Sequence, residues 1–176
     1  MKAKDLVLCA LFCALIIIGG FLKILVPPFY IMFTMQTFFV ILSFYLIGAK
    51  RSMISSLMYV ILGLVGIPIF TGGGGIGYIL SPTFGFLTGF VISSYICGKL
   101  CEKSKKITVL PALVSLVIIY TAGALHFFFI QKLYLSNDIS ISKVLVNCVF
   151  VFLPFDLILS FFAVSVAKRV KKAKLF

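Results

Sequence analysis

The residue with most chemical consequence in this chain is Asp156, set in the apolar stretch "FLPFDLIL". A carboxylate inside hydrocarbon costs a few kcal/mol or more to place, so it needs a partner or a purpose. It could pair with a neighbouring helix for packing, or it could accept hydrogen bonds from donors on a bound molecule. Pro154, two residues earlier, favours the second reading. Proline has no N–H, so the carbonyl of Phe150 loses its helical partner. Freed backbone at membrane depth is tolerated where it is buried in protein or lines a cavity. Pro154 and Asp156 together predict one wall of a polar pocket.

The remaining polar groups are few. His126 stands alone in its apolar run, which favours a packed or interfacial imidazole over a metal ligand or general base. An intramembrane enzyme needs at least two cooperating acid, base or metal groups. Asp156 and His126 could form such a pair, and nothing else in the chain supports that alternative. No catalytic residue, metal or cofactor is assigned. Cys97 and Cys101, spaced i, i+4, could conceivably hold a metal. They read instead, with Cys9, Cys13 and Cys148, as small packing residues. Gln36 and Thr37 project about 100° apart on a helix and suit either interhelical hydrogen bonds or ligand contact.

A glycine-rich stretch, "FTGGGGIGYILSPTFGF" (70–86), completes the inventory. Glycine permits positive φ and close approach to the main chain. Gly72, Gly73, Gly74 and Gly75 could form a plain flexible hairpin. With Pro82 and Gly85 breaking up the start of the following run, they instead predict a re-entrant segment. Its backbone N–H and C=O groups would be offered to a small molecule. It lacks the lysine and Ser/Thr of a phosphate-binding loop.

These residues must be positioned by membrane-spanning helices. The chain has 176 residues, 62% hydrophobic and 11% charged, with a mean hydropathy of +1.26, more apolar surface than a single soluble core can hide. Six runs are long enough to cross about 30 Å of hydrocarbon: residues 5–25, 31–49, 52–70, 78–98, 108–130 and 145–167. The prediction is an all-α integral membrane protein of six transmembrane helices and one domain, residues 1–176. The first run lacks the small-residue cleavage site of a secretory leader. No internal repeat suggests an inverted-repeat carrier, although a small self-sufficient channel or carrier is a further alternative.

The net charge of +12 follows the same frame. Lys2 and Lys4, Lys50 and Arg51, Lys99, Lys103, Lys105 and Lys106, and Lys168, Arg169, Lys171, Lys172 and Lys174 all fall on one side of the six runs. Only Lys23, Lys132 and Lys143 fall on the other. Positive residues stay on the cytoplasmic side, so both termini are expected there. The charge is orientation chemistry, not a nucleic-acid patch; Lys99–Lys106 reads as a solvated run that could also touch a cytoplasmic partner or anionic lipid of the bilayer. Ala10–Ala14 and Gly85–Gly89 are small-residue pairs that let helices approach closely.

The segment "GIPIFTGGGGIGYILSPTFGFLTGF" resembles the signature of the BioY family, the biotin-specific substrate-binding (S) components of energy-coupling factor (ECF) transporters. "FTMQTFFVILSFYLIGAKRS" is similar to that family's "I-T-L-Q-T" and "L-G-x-K-R-G" blocks, and "FLPFDLIL" to its "F-I-P-G-D-L-I-K". The three blocks occur in order. The resemblance implies a six-helix subunit of a prokaryotic cell membrane that binds biotin. It would dock through Ala10 and Ala14 on a transmembrane T component driven by two cytoplasmic ATPases. It places Asp156, Gln36, Thr37, Gly73, Gly74, Gly75, Tyr78, Pro82, Thr83, Phe84, Gly85 and Phe86 at the ligand. Departures from the pattern include Leu159 for lysine and Phe155 for glycine. Biotin's ureido N–H groups would bond Asp156, and Tyr78, Phe84 and Phe86 would cover its ring and valerate chain. Its carboxylate would point outward, to the N–H groups of Gly72–Gly75 or to Lys143, Lys132 or Lys23. An S component for another small vitamin is the nearest alternative.

Overall fold

The long apolar runs are helical, as they must be where the backbone has neither water nor a closed barrel to bond to. The computed structural model describes residues 2–26, 31–104, 107–135 and 139–173. The expectations for Pro27 and Pro28, for Lys105 and Lys106 and for Lys174 fall outside these. The helices are α1 (Ala3–Phe21), α2 (Gln36–Leu64), α3 (Phe84–Lys103), α4 (Leu110–Phe129), α5 (Ile141–Leu145) and α6 (Leu153–Lys172). A π-helical turn, Ile130–Tyr134, extends α4, and a second, Val146–Phe150, joins α5 towards α6. Five helical stretches among the described residues are then long and apolar enough to cross a membrane: Ala3–Phe21, Gln36–Leu64, Phe84–Lys103, Leu110–Tyr134 and Ile141–Lys172.

Five stretches appear where six runs were expected because residues 31–49 and 52–70 belong largely to the single element α2, broken at Gly48. That residue has φ 78° and ψ 176°, a conformation open essentially to glycine alone. The break reverses the chain. In a straight helix the 23 positions from Gln36 to Tyr59 would span about 34 Å. Instead, Gln36 Nε2 donates to Tyr59 OH over 2.7 Å, so the two halves of α2 lie against each other. Glu102, near the end of α3, stabilises the turn by accepting from the Ala49 backbone N–H at 2.9 Å and from Lys99 Nζ at 3.1 Å.

The fold is not wholly helical. Strand β1 (Lys23–Val26) pairs antiparallel with β2 (Ile31–Thr34), with Lys23 opposite Thr34. β-Branched residues at these positions favour extended backbone. The run expected over 78–98 is also displaced. A 3₁₀ turn, Ile76–Leu80, precedes it, and α3 starts only at Phe84. Pro82 lies in the turn before the helix, whereas Gly85 sits in regular helix instead of disturbing it.

Small residues set the helix spacing. A Cβ at Gly85 would collide with His126 Cβ and lie 2.6 Å from the Ala122 carbonyl oxygen; one at Gly89 would lie 2.8 Å from Ile119 Cα. These glycines therefore bring α3 onto α4. Ser94 of α3 meets α2 through Ser52 Oγ, which donates to its carbonyl at 3.1 Å, and through Ser56 Oγ at 2.9 Å. The basic ends converge: Arg51 Nε pairs with Asp5 at 2.9 Å, and Asp5, Lys50, Arg51 and Glu102 surround one polar recess.

Candidate functional site

Asp156 reaches the interior because Pro154 sits in the first turn of α6, where its missing N–H costs no helical bond. The preceding π-helical turn ends at Phe150, and Asp156 N donates to the Phe152 carbonyl at 3.0 Å as the regular helix starts. The Asp156 side chain is 7% exposed. Tyr120 of α4 donates its hydroxyl to Asp156 Oδ2 at 2.7 Å, and Thr37 of α2 faces the same carboxylate. The ion pairs among the described residues are Arg51–Asp5 and Lys99–Glu102, and Asp156 is in neither. A buried carboxylate held by neutral donors keeps acceptor capacity for a further partner.

That carboxylate lines a cavity of about 470 Å³, within the size range of small-molecule sites. Gln36, 3% exposed, lines it as well; its amide donates to Tyr59 while its oxygen accepts from Thr34 Oγ1 at 3.4 Å. Phe33, Phe86, Phe90 and Phe152 supply the apolar lining, with Phe33 against Phe152 at 5.3 Å between ring centroids. A second polar group lines the same space. Tyr78 OH lies 3.2 Å from Thr71 Oγ1 and 3.0 Å from Thr83 Oγ1, and Ser81 Oγ lies 3.0 Å from Thr83 Oγ1. The larger groove on the protein, about 700 Å³ along α4, α5 and α6, is lined almost wholly by apolar side chains. It offers little to fix a polar ligand.

The glycine stretch only partly borders the cavity. Of its four consecutive glycines, Gly72 lines the cavity, and Gly73, Gly74 and Gly75 do not. Gly73 exchanges both backbone hydrogen bonds with Phe70, Gly75 N donates to the Gly63 carbonyl at 2.7 Å, and Gly74 abuts the Ile67 carbonyl oxygen. The absence of side chains lets Gly74 and Gly75 pack on the end of α2, while Gly72 and Gly74 remain exposed. Pro82, Phe84 and Gly85 are likewise outside the lining. Phe84 packs edge-on to His126 at 5.7 Å, and His126 Nε2 lies 3.2 Å from the Ser81 carbonyl oxygen, a structural role. Six of the expected residues do share the cavity: Asp156, Gln36, Thr37, Tyr78, Thr83 and Phe86.

Sequence reasoning missed Tyr120, Thr71, Ser81, Phe33 and Phe90. Tyr120 had a usable signal, since a tyrosine deep in an apolar run needs a hydroxyl partner. Phe33 had none, because the hairpin that carries it was not foreseen. Ala10 and Ala14 are exposed on α1 beside exposed Leu6, Val7 and Leu11. No group of three or more His, Cys, Asp or Glu side chains among the described residues could hold a metal ion.

A helical membrane bundle enclosing a cavity with polar and apolar walls defines a membrane-embedded binding protein for a small molecule. Its fold matches the crystal structure of the S-component for biotin from an ECF-type ABC transporter, with a TM-score of 0.83 over 98% of this chain and 95% of that one, at 24% identity. The chain belongs to the BioY family, whose model matches residues 1–175. The probable biotin transporter BioY of Pyrococcus horikoshii is 35% identical over 97% of this chain and 98% of its own length. The biotin transporter BioY of Thermotoga maritima is 33% identical over 96% of each. A probable biotin transporter BioY from Lysinibacillus sphaericus is 37% identical over 80% of this chain and 72% of its own.

Proposed function

We propose that this protein is the biotin-binding subunit of an ECF-type transporter for biotin uptake, a single membrane-embedded domain without catalytic machinery. The observation that carries the reading is Asp156: deeply buried, held by Tyr120, outside the ion pairs described, and lining a cavity of suitable size. Biotin's ureido ring carries two N–H donors and one carbonyl. Asp156 accepts from the N–H groups, and Gln36, with one amide hydrogen committed to Tyr59, has a second for the carbonyl. Phe33, Phe86, Phe90 and Phe152 cover the thiophane ring and valerate chain, and Tyr78, Thr83 and Ser81 receive the acid end.

Transport requires partners and an orientation. The exposed Ala10–Ala14 stripe on α1 is the docking edge for a transmembrane T component, itself driven by two cytoplasmic ATPases. The chain crosses a prokaryotic cell membrane six times with both termini cytoplasmic. The reversal at Gly48 supports the count, since it turns α2 into two passes. The convergence of Asp5, Lys50, Arg51 and Glu102 supports the orientation, because it brings the N-terminal end of α1, the turn of α2 and the end of α3, which carry basic residues in the sequence, to one side.

Titration of the purified protein with biotin, beside Asp156→Asn, tests the assignment. Loss of charge-assisted hydrogen bonds weakens binding by about tenfold or more. Unchanged affinity in a well-folded Asp156→Asn protein rules the assignment out.

A further inference from the structure

The proposed ligand carries a carboxylate, yet among the described residues the only charged side chain lining the cavity is acidic Asp156. A carboxylate taken from water needs a cation or several donors. The structure separates the three lysines on the sparsely charged side. Lys132 Nζ lies over the Phe128 ring, 5.6 Å from its centroid, and Phe128 lines the apolar groove. Lys143 is exposed on α5, whose Ile141, Val144 and Leu145 also line that groove. Lys23 is placed differently. Its Nζ donates to the Thr71 carbonyl at 2.8 Å, and Thr71 lines the binding cavity. The hairpin register sets Lys23 opposite Thr34, another lining residue, and directly opposed residues project to the same face of a sheet.

We propose that Lys23, carried on the β1–β2 hairpin, is the counter-cation that selects a carboxylate at the mouth of the cavity, acting with the Thr71 and Tyr78 hydroxyls. An ammonium has three donors; one is engaged by the Thr71 carbonyl, leaving two for an incoming acid. The Tyr78 hydroxyl lies 3.2 Å from Thr71 Oγ1, so the ammonium and the Tyr78 hydroxyl contact the same residue, one at its carbonyl and the other at its side chain. Hydrogen bonds to ions are about twice as strong as neutral ones and differentiate charged from neutral ligands. The hairpin thus reads the acid end of the ligand while Asp156 reads the other.

This inference rests on the biotin reading, and a selectivity measurement distinguishes the two. Calorimetric titrations compare biotin with biotinamide, its neutral carboxamide, on the wild type, Lys23→Ala and Lys23→Arg. The wild type favours biotin. Lys23→Ala loses about tenfold or more in biotin affinity while biotinamide changes by less than about twofold, and Lys23→Arg retains the preference. Equal losses for both ligands make Lys23 a mere tether of hairpin to loop and overturn the proposal. Unchanged biotin affinity in Lys23→Ala overturns it too, leaving the function intact. A wild type that binds neither ligand overturns both.

Discussion

Tyr120 OH donates to Asp156 Oδ2 over 2.7 Å, tying α4 to α6 inside the bundle. The bond orients the carboxylate towards the cavity that both residues line. Tyr120→Phe therefore frees Asp156 to rotate and leaves it one donor short. Biotin affinity is expected to fall several-fold, in line with a hydrogen bond worth about 0.5–1.5 kcal/mol. In a double-mutant cycle with Asp156→Asn, the two losses are not additive, because each removes the same contact. Additive losses measured by titration would separate the two residues' roles.

Gly48 offers a second test. Its φ of 78° with ψ of 176° excludes other residues at a cost of about 1–3 kcal/mol. A Cβ there would also stand 3.0 Å from Glu102 Oε1, displacing the carboxylate that caps Ala49. Gly48→Ala is expected to lower the thermal midpoint in detergent without altering ligand selectivity. A midpoint unchanged within error would show that the turn tolerates a side chain.

The α3–α4 crossing is similarly constrained. Gly85→Val introduces carbons against His126 and the Ala122 carbonyl, and forced overpacking costs about 1–3 kcal/mol. The helices must part, moving Phe86 and Thr83 at the cavity wall. Both midpoint and biotin affinity should fall. Retained affinity with a lowered midpoint would place the strain away from the site.

Ala10→Leu with Ala14→Leu tests the docking edge. Both residues are exposed on α1, outside the cavity lining, so biotin binding by the isolated subunit should be unaffected. Co-purification with the T component and biotin uptake by cells should drop, because the larger side chains hold a partner helix away. Full uptake by the double variant would move the docking edge elsewhere.

Much of this architecture is legible residue by residue. Asp156 stands out because a carboxylate in hydrocarbon is costly, and it is buried and lines the cavity. Gln36, Thr37, Tyr78, Thr83 and Phe86 line the same cavity. The glycine stretch is less legible because glycine serves two purposes, exposing backbone to a ligand or allowing backbone to pack on backbone. The packing of Gly75 and Gly74 on the Gly63 and Ile67 carbonyls appears only in the folded chain.

Hydropathy and charge act through the solvent, so the sequence by itself determined that this chain lives in a bilayer and which loops carry its basic residues. Helix ends follow local rules and came out within several residues. Which groups meet depends on how helices pack, and no local pattern encodes that. Only the tertiary structure decided that Gly48 folds α2 back to join Gln36 to Tyr59, that Tyr120 reaches Asp156, and that a hairpin sets Lys23 beside Thr71. Each of these contacts joins residues more than twenty positions apart, a separation that only packing of the whole bundle can close.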